Sequence, residues 1–208
     1  MIVKTRDLAL EYMEKNGYGG HDKLHILRVE KLARELMRGI RLDPIVLFNA
    51  VWFHDTGRLE ELKTGEDHAI ISAKIAYDLL TNVDGFPREK IGPIGDCIKA
   101  HRYRNGVKPF SVEARILQDA DRLDALGMTG IYRVFTHDSS RALYKVADPF
   151  CESGRELDDS KYILDHFYEK LFRLESLNTK KARELAKERI RFMKLALDQL
   201  KMEVNGEV

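Results

Sequence analysis

The chain has 208 residues, of which 44% are hydrophobic and 33% are charged, and this balance suits a single globular domain over residues 1–208. Lys and Arg together number 35 and Asp and Glu 34, so the net charge of +1 argues against a nucleic-acid or membrane-surface partner. Two cysteines without CxxC spacing, and apolar stretches well short of ~20 residues, exclude a disulfide scaffold and a membrane span. We therefore expect a cytoplasmic protein, and the sequence assigns no oligomeric state.

Helical periodicity dominates the chain, which predicts an all-α fold. An amphipathic helix opens the chain and ends at the turn "NGYGG" (16–20). A second helix begins after Asp22, a suitable N-cap, and runs to about Met37, with Gly39 as the stop. One position in its apolar stripe is a histidine. The stripe consists of His25, Val29, Leu32 and Leu36.

The third helix has clear boundary signals. Asp43 is a suitable N-cap, Pro44 takes the first helical position, and Gly57 is interpreted as the residue just past the end. Between them the segment "IVLFNAVWF" is apolar on nearly every face. Such a pattern is typical of a helix that is buried on all sides.

The remaining helices also carry histidines on apolar faces. His68 and His101 each replace an apolar residue in the stripe of their own helix. Pro93 lies in the first two turns of the helix that ends near His101, so we expect an irregular start there. Residues 136–160 are polar with little periodicity and are predicted to form a loop. The predicted helices lie at about 67–80, 87–103, 112–127, 161–177 and 180–201.

A His-Asp pair occurs three times, and its surroundings differ each time. In the pair at 21–22 the aspartate has a sufficient function as a helix cap, and the pair at 137–138 lies in the polar loop, where solvation accounts for it. The pair His54-Asp55 falls in the last turn of the buried helix, where an isolated carboxylate costs several kcal/mol. The carboxyl end of a helix favours a cation. A metal ion bound by His54 and Asp55 meets both demands.

Other candidate ligands lie on neighbouring helices. A single histidine on an apolar face is more often a hydrogen-bonded core residue, but His25, His68 and His101 together with the buried pair favour a metal site. In "LQDADRLDALG", Asp119 and Asp121 point roughly 200° apart on a helix, so one of them can face the site. Asp121 fits as a direct ligand, with Asp124 on the same face as outer support. Asp119 is the alternative if the helix is rotated.

The segment "HDKLH" (21–25) allows two other interpretations. Its His-x3-His spacing is that of a zinc metalloprotease helix, but Asp22 stands where that motif has a glutamate. The milder alternative is that His21 shares a metal ion with His25.

These residues resemble the HD superfamily of metal-dependent phosphohydrolases. The resemblance rests on His25 within "DKLHILRV", His54-Asp55 within "WFHDTGR" and Asp121 within "DADRLDALG". It implies a helical bundle with an HD core at about 18–135, the polar loop at 136–160 and additional C-terminal helices at 161–201. It also implies hydrolysis of phosphomonoesters or phosphodiesters, often of nucleotides. The chain lacks the Gly-Tyr-Pro signature of the cyclic-dinucleotide branch and the acidic motif of the (p)ppGpp hydrolases, which argues against both substrates.

The resemblance further implies a set of metal ligands. His25, His54, Asp55 and Asp121 hold one divalent ion. His68 and His101 hold a second ion that Asp55 bridges to the first. The mixed nitrogen and oxygen donors suit Mn, Fe, Co, Ni or Zn better than Mg. Bound metal activates a water molecule and neutralises charge on the phosphoryl oxygens.

Arginines near these ligands are candidates for holding the phosphate of a small substrate such as a nucleotide. Arg58 follows the His-Asp pair, Arg102 and Arg104 follow His101, and Arg28 lies one turn beyond His25. Arg58 and Arg102, next to ligands, are expected to take part in catalysis with Asp55. For each arginine the simpler alternative is a solvated side chain or an ion pair. Arg122, beside Asp121, is expected to support the site from outside.

Two other functions fit the same ligand set. Some members of the superfamily hold a mixed-valent di-iron centre that activates O2. A non-catalytic, metal-binding regulatory module is the other alternative, although the chain retains the full ligand set.

Overall fold

The structure, a computed structural model, describes residues 2–17, 21–102, 106–137, 140–174 and 176–207, with Ile2 and His137 described in their backbone alone. Ten α-helices and no β-strand occur in these ranges, which confirms the all-α prediction. Every helix in them is too short or too polar to cross a bilayer. The helices are α1 Ile2–Asn16, α2 Lys23–Leu36, α3 Pro44–Phe53, α4 Arg58–Thr64, α5 His68–Thr81, α6 Ile91–His101, α7 Val112–Asp124, α8 Gly127–His137, α9 Ile163–Glu169 and α10 Lys180–Val204.

Local signals in the sequence explain most helix starts. The Asp22 side chain accepts a hydrogen bond from the backbone N–H of His25, and Asp43 accepts from the N–H groups at positions 45 and 46. Both predicted caps are therefore confirmed. A short 3-10 turn at Arg88–Lys90 precedes α6, which accounts for the irregular start expected near Pro93.

Two helices were missed, and one is shorter than predicted. The helix α4 has seven residues and no buried position, so it has no apolar stripe to reveal it. The predicted helix over 112–127 corresponds to α7, which ends at Asp124. The second missed helix is α8, which begins at Gly127, where a φ of +76° changes the chain direction. The helix α9 ends at Glu169 rather than near 177, because Lys170 leaves helical geometry and a 3-10 turn follows.

The chain forms two compact units, Met1–Asp121 and Arg122–Val208. Their folding as one domain stays a prediction. In the first unit α3 contacts α1, α2, α5 and α6, and its residues Val46 to Phe53 are all buried, as predicted. Its Trp52 indole N–H donates to the buried Glu30 carboxylate at 3.1 Å. Glu30 also accepts from Arg6 on α1, at 2.9 Å, so one carboxylate joins three helices.

The second unit contains α8, α9 and α10 and the long segment before α9. The helix α10 contacts α8, and its buried face consists of Ala182, Ala186, Ile190, Met193 and Leu197. The predicted loop over 136–160 begins later than expected, because α8 extends to His137, and residues 140–160 contain no helix. Arg155 holds this segment to α9 through two 2.6 Å hydrogen bonds to the carboxylate of Asp165. The side chain of Asp165 is fully buried, so this ion pair is internal to the unit.

Candidate metal centre

The end of α3 places a histidine and an aspartate inside the first unit. His54 and Asp55 directly follow Phe53, and their exposed fractions are 0% and 1%. The His54 Nδ1 lies 2.8 Å from the Val51 carbonyl, one turn back along the chain. Because a carbonyl only accepts, Nδ1 carries the proton and Nε2 presents a lone pair. The sequence predicted this burial, and the structure shows how the ring is oriented.

The first donor group consists of His25, His54, Asp55 and Asp121. The Nε2 atoms of His25 and His54 are 3.2 Å apart. The Asp55 Oδ2 lies 3.3 Å from the first of these nitrogens and 3.6 Å from the second. The Asp121 Oδ1 lies 3.4 Å and 3.7 Å from the same two nitrogens. Four donors from helices α2 and α7 and the end of α3 thus converge on one point.

The second donor group consists of Asp55, His68 and His101. The Nε2 atoms of the two histidines are 3.3 Å apart, and the Asp55 Oδ1 lies 3.4 Å and 3.7 Å from them. The His101 Nδ1 lies 2.5 Å from the Ile98 carbonyl, and the His68 Nδ1 lies 2.9 Å from the Glu61 carboxylate. Both Nδ1 atoms therefore carry protons, and two Nε2 lone pairs face each other.

Both groups have the donor chemistry and spacing of a transition-metal site. Donors about 2.1 Å from one ion lie about 3.0 Å apart in an octahedral arrangement and about 3.4 Å apart in a tetrahedral one. The nitrogen–nitrogen and nitrogen–oxygen distances in both groups, 3.2 to 3.7 Å, are close to these values. In the second group, two facing lone pairs beside a carboxylate repel one another unless a cation lies between them. The residues present therefore fit a divalent ion at each group.

The protonation states of these side chains are suited to binding a metal ion. Burial opposes ionisation of Asp55, but the Arg58 guanidinium and then His21 hold its pKa well below the usual range. Burial likewise opposes ionisation of Asp121, but the neighbouring His25 and then His54 hold its pKa well below the usual range. Burial lowers the pKa of His68 to about 4, so at neutral pH this ring is uncharged and available as a ligand.

Two of the predicted arginines are paired with carboxylates at the site. The Arg58 Nε donates to the Asp55 Oδ1 at 2.9 Å. The Arg102 Nη1 donates to Glu61 at 2.6 Å and to Asp67 at 2.8 Å. The simpler alternative for these arginines, an ion pair, is thus what the structure shows. Binding of a substrate phosphate by Arg58 and Arg102 stays a prediction.

The other predicted residues are placed as follows. Arg28 is half-buried on α2, and Arg104 lies outside the described residues, as does Asp138. In the second unit, Asp124 accepts from Arg133 at 2.9 Å, and Arg122 donates to the Ser176 carbonyl at 3.2 Å. Support of Asp121 by Asp124 and Arg122 stays a prediction.

Sequence reasoning undervalued His21 and missed Glu61 and Asp67. The His21 Nδ1 donates to the Asp55 Oδ2 at 2.5 Å, and burial lowers its pKa to about 4. The His-x3-His spacing of "HDKLH" was a signal for it, and the milder alternative already brought His21 to the site. Glu61 and Asp67 had no such signal, because both lie outside the matched motifs in the charged segment "RLEELKTGED" (58–67).

The sequence predicted Gly57 just past the end of the third helix, but α3 ends earlier, at Phe53. Gly57 precedes α4, and its N–H donates to the Ser72 Oγ at 2.8 Å. A Cβ at this position would lie 2.6 Å from the His68 carbonyl oxygen and 2.8 Å from the Ile71 Cβ. The close approach of α5 to the chain just after Asp55 therefore requires a glycine.

We expect Gly57→Ala to destabilise the fold by about 1–3 kcal/mol, because the methyl group meets backbone atoms that cannot move independently. Urea unfolding followed by circular dichroism measures this change. Gly92→Ala is the matched control, since a Cβ there meets nothing within 4 Å. A Gly57→Ala variant as stable as the wild type would contradict the inferred packing.

Comparison with known proteins gives consistent matches. A family model described as HD domain matches residues 24–126. The uncharacterized protein YpgQ of Bacillus subtilis is 33% identical over 192 residues, which are 90% of this chain and 86% of that protein. The crystal structure of B. subtilis YpgQ in complex with ADP is 31% identical, with a TM-score of 0.73 over 97% of this chain and 94% of that one. An HD-superfamily hydrolase from Bacillus thuringiensis is 30% identical, with a TM-score of 0.73 over 98% and 96%.

Proposed function

Since this chain belongs to the HD-domain family and is similar to an HD-superfamily hydrolase, we propose that it is a metal-dependent phosphohydrolase. Its proposed substrate is a phosphomonoester or phosphodiester of a nucleotide or a related small molecule. The proposed ligands are His25, His54, Asp55 and Asp121 for one ion. The proposed ligands of a second ion are His68 and His101, and both ions share Asp55.

One observation carries this proposal: the two oxygens of Asp55 face different pairs of histidines. Its Oδ2 is 3.3 Å from the His25 Nε2, and its Oδ1 is 3.4 Å from the His68 Nε2. A carboxylate in that position can bridge two ions. Divalent ions at such a site lower the pKa of bound water from about 15.7 towards about 7 and neutralise charge on phosphoryl oxygens.

The charges of the site also support a metal requirement. Among the described residues, four carboxylates and two guanidinium groups lie in this cluster, which leaves two net negative charges when the histidines are neutral. This net negative charge repels an anionic phosphate. One divalent cation neutralises the cluster, and two make it positive. The carboxylates are those of Asp55, Glu61, Asp67 and Asp121, and the guanidinium groups are those of Arg58 and Arg102.

The proposed roles of the arginines are to bind and orient the phosphate. A guanidinium has five N–H donors. Within the described part of the chain, Arg58 donates through Nε and Nη1 and Arg102 through Nη1, so each retains donors for a phosphate oxygen. Arg28 and Arg104 are further candidates by their position in the sequence. A nucleotide substrate is supported by the relative YpgQ, which was crystallised in complex with ADP.

We expect Mn²⁺ at about 100 times its Kd to stabilise the protein by about 2.7 kcal/mol, which raises the unfolding temperature by about 5–10 °C. The same preparation should release phosphate or a nucleoside phosphate from nucleotides under anaerobic conditions. Differential scanning calorimetry and an anaerobic hydrolysis screen measure the two effects.

Two other results would replace this proposal. Iron-dependent O2 uptake with a polyol or a phosphonate, and no anaerobic hydrolysis, would assign an oxygenase. A protein that purifies without metal and gains no stability from Mn²⁺ would assign a non-catalytic regulatory module.

A further inference from the structure

Glu61 is a carboxylate of α4 that contacts three of the predicted site residues. Its Oε2 accepts a hydrogen bond from the His68 Nδ1 at 2.9 Å and lies 3.4 Å from the Arg58 Nη1. Its Oε1 accepts from the Arg102 Nη1 at 2.6 Å. The side chain is 22% exposed, so these contacts are made at the edge of the buried centre.

The position of His68 in its helix explains why it needs such a partner. His54 and His101 stand at the carboxyl ends of α3 and α6, and each Nδ1 reaches back to the carbonyl three residues earlier. Helical side chains lean towards the amino end, so this carbonyl is within reach. His68 is the first residue of α5 and has no preceding turn of its own helix. Its Nδ1 partner must therefore come from elsewhere, and Glu61 supplies it.

The hydrogen bond from His68 to Glu61 selects one tautomer. With the proton on Nδ1, the Nε2 lone pair points at the His101 Nε2, 3.3 Å away, and at the Asp55 Oδ1, 3.4 Å away. A carboxylate partner also makes the ring more basic and a stronger ligand. Arg102, held between Glu61 and the Asp67 carboxylate at 2.8 Å, keeps Glu61 in place.

We propose that Glu61 is the positioning residue for the second donor group, and that it acts on the second ion through the orientation and tautomer of His68. This inference rests on the proposed function for the presence of that ion. In the described residues the Glu61 side chain contacts Arg58, His68 and Arg102, and it has no hydrogen bond to a histidine of the first donor group. The Nδ1 of His54 is satisfied by its own helix.

The test is a titration of the full chain with Mn²⁺ alone, followed by calorimetry and by electron paramagnetic resonance. We expect Glu61→Ala to weaken one of two binding steps by about 10–100-fold, the usual effect of losing such a partner, and to diminish the spin-coupled Mn²⁺ pair signal. Glu61→Gln should restore most of the affinity, because its amide oxygen still accepts from Nδ1. Glu60→Ala is the matched control, since Glu60 is on the same helix and is exposed, with Lys63 as its partner at 3.2 Å.

Three results would overturn the assignment of Glu61. They are unchanged binding steps in Glu61→Ala, equal weakening of both steps, and a Glu61→Gln variant no better than Glu61→Ala. A wild-type protein that binds fewer than two ions would also overturn it, even if it hydrolyses phosphoesters. Conversely, a wild type that binds two ions but hydrolyses no phosphoester would contradict the proposed function and leave the role of Glu61 supported by the titration.

Discussion

Asp55→Asn should lower the rate of hydrolysis by at least about 10³-fold and reduce the bound metal to less than one ion per chain. Loss of an outer partner of a metal ligand already costs about 10–100-fold, and Asp55 is proposed to bind both ions directly. The substitution preserves the shape of the side chain but removes the charge that its two oxygens present to His25 and His68. Metal analysis of the dialysed protein and a hydrolysis assay at saturating Mn²⁺ measure the two losses.

The control for Asp55→Asn is Asp96→Asn, a substitution of the same kind on α6. The Asp96 side chain is 80% exposed, so its charge is solvated. Its loss should change neither the rate of hydrolysis nor the amount of bound metal. A folded Asp55→Asn protein with wild-type activity would refute the proposed mechanism. Retained metal with lost activity would instead show that the other ligands suffice for binding.

Arg155→Ala should lower the free energy of unfolding by about 3–5 kcal/mol. The Asp165 carboxylate is fully buried and Arg155 is its bidentate partner, so removal of the guanidinium leaves a buried charge without its counter-ion. Burial opposes ionisation of Asp165, but the hydrogen bonds and charge of Arg155, together with the Asp158 N–H, keep the pKa of that carboxyl below its usual value. Urea unfolding at pH 7 measures the change.

The pH dependence of this effect has a definite sign. The folded pKa of Asp165 is lowered, so its stabilising contribution is present above the unfolded pKa and is lost as the pH falls through the folded value. The difference between the wild type and Arg155→Ala should therefore shrink in acid. Arg191→Ala is the control, because Arg191 and Glu188 are an exposed pair at 3.0 Å worth at most about 1 kcal/mol. A loss at pH 7 no larger than that of the control would show that Arg155 is dispensable.

The sequence by itself determined the helices whose signals are local. A cap and the first turn of its helix lie within four residues of each other, so Asp22 and Asp43 could be recognised without tertiary information. The apolar faces of α3 and its buried His-Asp pair were also readable, because periodicity and burial are properties of a single segment. By contrast, α4 has seven residues and no buried face, and its existence depends on the chain around it.

The tertiary structure alone decided which side chains meet. Glu61 and Arg102 are 41 positions apart, and their 2.6 Å contact depends on how α4 and the end of α6 pack. Likewise, the motif named Asp55 as a ligand, but only the packing of α2 and α5 shows that its two oxygens face different histidines. Helix signals act over a few residues of one segment, whereas the distance between two side chains on different helices depends on packing that their spacing in the chain does not encode.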